Sequence, residues 1–129
     1  MPPTVVSFYQ EASGAVPVWD MLQDLKKRDR EGFAKCAAKI QRLETLGHEL
    51  RRPEADYLED GIYELRAKKG RVNYRILYFF HGKIVALLAH ALTKEGDIPP
   101  ADLTRAKNRK AAFARNPAAH TATLRLGAD

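Results

Sequence analysis

Hydrophobic and polar positions alternate most clearly between residues 62 and 80. The run Ile62-Tyr63-Glu64-Leu65-Arg66 leads through Lys68-Lys69-Gly70-Arg71 into Val72-Asn73-Tyr74-Arg75-Ile76-Leu77-Tyr78-Phe79-Phe80. Period-two alternation on either side of a basic, glycine-bearing turn predicts a β-hairpin. With Lys69 and Gly70 as the turn, Lys68 faces Arg71, Arg66 faces Asn73, Glu64 faces Arg75 and Ile62 faces Leu77. Residues two apart share a face, so Glu64, Arg66, Asn73 and Arg75 lie on one side. Tyr63, Leu65, Tyr74, Ile76 and Tyr78 lie on the other. The second side is apolar and aromatic, hence core. The first is charged and suited to holding an anion.

The rest of the chain is arranged around this hairpin. Residues 4–9 predict a short first strand, broken by Ser13 and Gly14. Pro17 suits a first helical turn, and Val18, Leu22 and Leu25 form one face of a helix ending near residues 28–30. A second helix is expected from about Glu31, with Phe33, Cys36, Ala37, Ile40 and Leu43 on its apolar face and Gly47 as its C-terminal cap. The polar stretch 48–60, which contains Pro53, is expected to be a loop. After His81-Gly82 a further strand runs over residues 83–94. With His81-Gly82 as its turn, it brings Leu88, His90, Leu92 and Lys94 onto the arginine face and Val85, Leu87, Ala89 and Ala91 into the core. Ile98-Pro99-Pro100 opens a last helix with a weak apolar stripe (Leu103, Ala106, Phe113) and a basic remainder. The predicted class is α+β, in the order β-α-α-β-β-β-α. A twisted, mostly antiparallel sheet carries two N-terminal helices and a short basic C-terminal helix. Residues 1–115 form the expected domain and 116–129 an expected mobile tail.

Composition narrows the function classes. A chain of 129 residues suits one domain with one core. The net charge of +6 favours a polyanionic partner, nucleic acid or an acidic protein, without choosing between them. Cys36 is the only cysteine, which excludes an internal disulfide and any multi-cysteine zinc site. No run approaches a membrane span, and no secretory signal opens the chain, so a cytoplasmic protein is expected. Asp56, Glu59 and Asp60 have no histidine at ligating spacing, so neither a metal nor another cofactor is expected.

The segments Asp60-Gly61-Ile62-Tyr63-Glu64-Leu65-Arg66, Asn73-Tyr74-Arg75-Ile76-Leu77-Tyr78 and His90-Ala91-Leu92-Thr93-Lys94, followed by a proline-started basic helix, resemble the RelE/ParE toxin superfamily. The HigB-type, phage-derived branch is the nearest. The likeness covers about residues 4–115. Relatives carry an aromatic residue where Leu92 stands and a second lysine where Glu95 stands. The resemblance implies a RelE-like fold and a ribosome-dependent mRNA endonuclease. It also implies a cognate antitoxin that silences the enzyme, typically a helix-turn-helix protein of the HigA type.

Metal-free RNA cleavage needs a 2′-oxygen aligned with phosphorus, a destination for its proton, and stabilisation of the extra negative charge. Arginine suits the last need because its planar fork grips phosphate oxygens and stays charged. Histidine or lysine can move the proton. Arg66, Arg75, His90 and Lys94 are therefore the candidate catalytic residues. Lys68, Lys69, Arg71 and Asn73 at the hairpin, and Arg105, Lys107, Arg109 and Lys110 on the last helix, are the candidate RNA contacts. The plainer alternatives are a salt-bridge ladder joining Arg66 and Arg75 to Glu64, a core histidine at His90, and a merely solvated basic helix. Two other functions fit the same surface. One is a ParE-like toxin that inhibits DNA gyrase by protein binding, and the other is a non-enzymatic, phage-derived nucleic-acid-binding module.

Overall fold

The computed structural model describes residues 3–126. The first strand is β1 (Val5–Tyr9), followed by helices α1 (Pro17–Arg28) and α2 (Arg30–Leu46). Strands β2 (Ala55–Glu59), β3 (Ile62–Lys69), β4 (Val72–His81) and β5 (Val85–Thr93) come next, then α3 (Pro100–Arg115) and a two-residue β6 (Thr121–Ala122). The class is α+β. Among the described residues there are three α-helices and one six-stranded open sheet, in the order β2-β3-β4-β5-β1-β6. Only β1 and β5 pair in parallel.

Both helix junctions follow local chemistry. Pro17 opens α1. Asp29 caps α2, its side chain accepting the Gly32 N–H at 3.1 Å. Gly47 ends α2 at φ 53°, as the glycine there predicts. The helices cover one sheet face with Val18, Leu22, Leu25, Phe33, Cys36, Ile40 and Leu43, packed on Leu65, Ala67, Tyr74, Ile76 and Tyr78. Cys36 is fully buried, and its thiol is pushed up to about 12 by that burial. The apolar side of the hairpin is therefore core.

The opposite face is only half covered. Helix α3 sets Ala106 and Phe113 over Ile62, Leu77, Phe79, Leu87 and Ala89. The half beyond it, toward the β3–β4 turn, carries the polar residues.

Four expectations change. The stretch 48–60 is not simply a loop, because residues 55–59 form the edge strand β2 and pair with β3. Asp60 and Gly61, both at positive φ, make the two-residue hairpin between them. The β3–β4 turn is Gly70-Arg71, because Lys69 pairs with Val72. Gly70 at φ 60° takes the first turn position. Arg66 therefore faces Arg75, Glu64 faces Leu77 and Lys68 faces Asn73. This shift is even, so the residues on each face are unchanged.

The third change is in β5, where His81 pairs with Val85, so that residues 82–84 and not His81-Gly82 make the β4–β5 turn, and where a bulge lies between the pairs Leu77–His90 and Tyr78–Leu88, with Ala89 as the extra residue. The bulge reverses the alternation. His90 and Leu92 keep the arginine face, but Leu88 turns to the α1–α2 core, and Leu87 and Ala89 turn under α3. The fourth change is at the C-terminus. Residues expected in a mobile tail form a short helical turn and β6, which pairs with the end of β1. His120 stacks on Tyr9, with ring centres 5.2 Å apart, and its Nδ1 lies 2.7 Å from the Gln10 carbonyl oxygen. Residues 127–129 of that expected tail lie outside the described residues.

Candidate functional site

The open half of the α3-side face is a set of rows across neighbouring strands. One row is Asp56, Glu64, Leu77 and His90, from β2 to β5. The next toward the hairpin tip is Arg66, Arg75 and Leu92. Beyond it lie Lys68 and Asn73, with the Lys94 N–H donating to the Asn73 carbonyl at 3.1 Å.

Glu64 organises the arginines. Its side chain is only 2% exposed, and a buried carboxylate needs strong partners. One oxygen, Oε1, accepts from Arg66 Nε at 2.5 Å and from Arg75 Nη1 at 3.2 Å. Asp56 adds a longer contact to Arg66 Nη2 at 3.6 Å. The Asp56 carboxyl lies below the usual carboxylate range, chiefly because Arg52 donates to it at 2.8 Å. Each guanidinium has five N–H donors, so both arginines keep donors beyond those given to Glu64. The expected salt-bridge ladder is present, with Glu64 joining both arginines. Glu64 fixes both guanidinium groups on one carboxylate oxygen, with the Arg66 side chain 36% exposed and that of Arg75 13%.

His90 shares this face but is not idle there. Its Nε2 lies 2.6 Å from Asp102 Oδ1 in the first turn of α3, and its Nδ1 lies 3.4 Å from Arg109 Nη1. An Nε2–H donating to Asp102 and an Nδ1 accepting from Arg109 would satisfy both contacts. Lys94 is exposed and makes no ion pair among the described residues.

The candidate RNA contacts divide. Lys68 and Arg71 are exposed, and Asn73 is half-buried. Lys69 points to the other face and holds Asp29 at 2.8 Å, an ion pair that raises the lysine and lowers the aspartate from their ordinary values. On α3, Lys107 is bound to Glu59, and to Asp60 at 2.9 Å. Arg109 donates to Glu11 at 3.1 Å and to the Ala89 carbonyl at 2.7 Å, with its guanidinium 5.7 Å from the Tyr9 ring centre. Lys110 packs beside Gly61. Arg105 is exposed and borders a shallow hollow of about 570 Å³ that Tyr9, Glu11, Thr104 and Asn108 help to line. The basic C-terminal helix is thus a clamped element, with two of its cations committed to the sheet and its turns.

Sequence reading missed the partners that do the clamping. Asp102 was legible only as an acidic residue in a first helical turn, and Glu11 carried no signal for a contact 98 residues away. Asp29, which both caps α2 and anchors Lys69, was also missed. Among the described residues, no three His, Cys, Asp or Glu side chains gather as a metal-holding group, and no helix is long and apolar enough to cross a membrane.

No curated protein matches the chain significantly. The family model for phage derived protein Gp49-like (DUF891) matches residues 20–111. That span runs from α1 through the arginine-bearing hairpin and most of α3. The chain belongs to this Gp49-like family, which lies within the RelE/toxin-like superfamily.

Proposed function

We infer that this protein is the toxin of a type II toxin–antitoxin pair, of the HigB type, and that it cleaves mRNA on the ribosome. The observation that carries this reading is the Arg66–Arg75 pair, set side by side by buried Glu64 on an uncovered sheet face. Charge-assisted donors held rigidly around a phosphate stabilise the extra negative charge as a ribose 2′-oxygen attacks phosphorus and the bond to the 5′-oxygen breaks. Exposed Lys94 stands at the edge of this group and is the freer proton carrier. His90 would first have to release Asp102, so its main role here is to seat α3. No metal enters this reaction scheme. The partners are the ribosome with its messenger in the cytoplasm, and a cognate antitoxin, for which a HigA-like helix-turn-helix protein is the expected type.

The test is expression of the chain with and without its neighbouring gene, with the 5′ ends of cellular RNA mapped. New mRNA 5′ ends and growth arrest are expected only when the chain is expressed alone. Intact mRNA during growth arrest would overturn the nuclease reading. The engagement of both His90 nitrogens favours one rival, a ParE-like gyrase inhibitor, because such a protein needs no proton carrier. A DNA damage response with intact mRNA would identify it.

A further inference from the structure

Among the described residues, cations without carboxylate partners remain on α3 (Arg105, Lys110 and Arg115), and a second group of them stands where the α1–α2 corner meets the tip of the β3–β4 hairpin. Asp29 joins corner to tip. It caps α2 through the Gly32 N–H and accepts from Lys69 Nζ at 2.8 Å. Gly32 allows the close fit, since a Cβ there would lie 2.6 Å from the Tyr74 hydroxyl. Around this joint Lys27 and Arg30 stand on the helix side and Lys68 and Arg71 on the hairpin side. All four are exposed, with no ion pair among the described residues. Arg28, between the first two, is paired with Asp24 at 2.7 Å. From the tip the row of Lys68, Asn73 and Lys94 continues to Arg66 and Arg75.

We propose that the α1–α2 corner and the hairpin tip form one phosphate-binding track, which holds the backbone of RNA outside the arginine site and leads it there. This deepens the RNA reading of the arginine face and rests on it. The surface suits a polyphosphate better than an acidic protein. Protein interfaces anchor on buried apolar and aromatic groups, and of the large exposed apolar residues described only Val72 lies at this joint. Phosphate binding needs only spaced cations with free donors. Lys69 is a positioning residue, because Asp29 already occupies its charge.

The test uses purified bacterial ribosomes as the RNA probe and polyglutamate as the acidic-protein probe. Affinity is measured across a potassium chloride series for the wild type and for Lys27→Gln/Arg30→Gln/Lys68→Gln/Arg71→Gln. Ribosome affinity is expected to fall at least tenfold. The slope of log affinity against log salt should become shallower by roughly three units, at ~0.7–0.9 per lost phosphate contact. If the fourfold variant does not fold, Lys27→Gln/Arg30→Gln carries the test with half that slope change. An unchanged ribosome slope overturns the track, as does loss of polyglutamate binding alone, which would identify an acidic protein as the occupant. Cleavage by the wild type, followed in parallel, separates the two proposals. Ribosome binding that depends on these four residues without any cleavage keeps the track and removes the nuclease. Cleavage by the wild type, with a variant that binds equally well, does the opposite.

Discussion

Two basic regions of this molecule look alike in the sequence and differ in the fold. Helix α3 carries Arg105, Lys107, Arg109 and Lys110 within six residues. The β3–β4 hairpin carries Arg66, Lys68, Lys69, Arg71 and Arg75 within ten. On α3, Lys107 and Arg109 are spent on Glu59, Asp60, Glu11 and a backbone carbonyl. On the hairpin, Lys68 and Arg71 are free, and Arg66 and Arg75 share one buried carboxylate while keeping other donors. The density of Lys and Arg therefore does not measure binding potential. What counts is how many carboxylates the fold brings within reach of them. In α3 Lys107 and Arg109 hold the helix to the sheet and its turns, and at the hairpin Lys69 is held by Asp29 while Lys68 and Arg71 have no ion pair among the described residues.

This contrast breaks most directly at the arginine pair. Arg66→Ala and Arg75→Ala should each lower single-turnover mRNA cleavage at saturating ribosome by about 10²-fold or more, a loss of a few kcal/mol of transition-state stabilisation. Each truncation also takes one of the two cation partners from buried Glu64, so stability should fall as well, and cleavage is compared per folded molecule. Two folded variants that cleave at the wild-type rate would reduce the pair to a structural ladder.

On α3 the same kind of substitution should act on stability instead. Arg109→Ala removes donors to Glu11 and to the Ala89 carbonyl, and strips one polar contact from His90. Losing such partly buried, charge-assisted bonds should cost ~1–3 kcal/mol in urea unfolding, with cleavage per folded molecule much less affected than by the hairpin variants. If Arg109→Ala unfolds like the wild type but no longer binds ribosomes, α3 is the RNA grip after all.

Much of the architecture was legible because most elements obey one strong local rule. Pro17, Gly47 and Pro100 mark helix ends, and the alternation over residues 62–80 puts Glu64, Arg66 and Arg75 on one face under any even register shift. Three features escaped that logic. Strand β2 lies at an edge, where Asp56, Tyr57 and Glu59 need no apolar alternation. The Asp60-Gly61 pair was its one clear signal, and it is a favoured two-residue hairpin turn. The bulge at Ala89 inverts β5 halfway along, and an apolar run such as Val85-Ala86-Leu87-Leu88-Ala89 carries no period to reveal it. The commitment of Lys107, Arg109 and His90 depends on carboxylates far away in the sequence, which no local pattern encodes. The site was thus legible as a face, and illegible in which of its charges are free.

A smaller effect should appear in acid. Glu54, ahead of β2, accepts from Lys39 at 3.1 Å and from Arg42 at 3.0 and 3.1 Å, and its carboxyl is held down at about 2 by Arg42 first and Lys39 next. Its folded value lies below the unfolded one of ~4.3, so its contribution is complete above that pH and is lost as pH falls toward 2. Glu54→Gln should lower stability at neutral pH and flatten part of the decline between about pH 4.5 and 2. Asp29 and Asp56, also held low by their cation partners, keep the remainder. An acid-unfolding curve for Glu54→Gln with the wild-type slope would show that the α2–β2 tether adds nothing to the fold.

The smallest expected effect is the sharpest test of the comparison, because it sets two lysines of equal charge, one free and one paired, against each other. Lys68→Gln removes a free cation at the hairpin and should make the ribosome-binding salt slope shallower by roughly one unit. Lys107→Gln removes a cation that Glu59 and Asp60 already neutralise, so its slope should match that of the wild type. The converse change releases Lys107. Glu59→Gln/Asp60→Asn deletes both partners without touching the lysine, and its binding should become tighter and more salt-sensitive than the wild type's. If Lys107→Gln and Lys68→Gln flatten the slope equally, both lysines already meet phosphate, and Glu59 and Asp60 do not withhold Lys107 when RNA is bound.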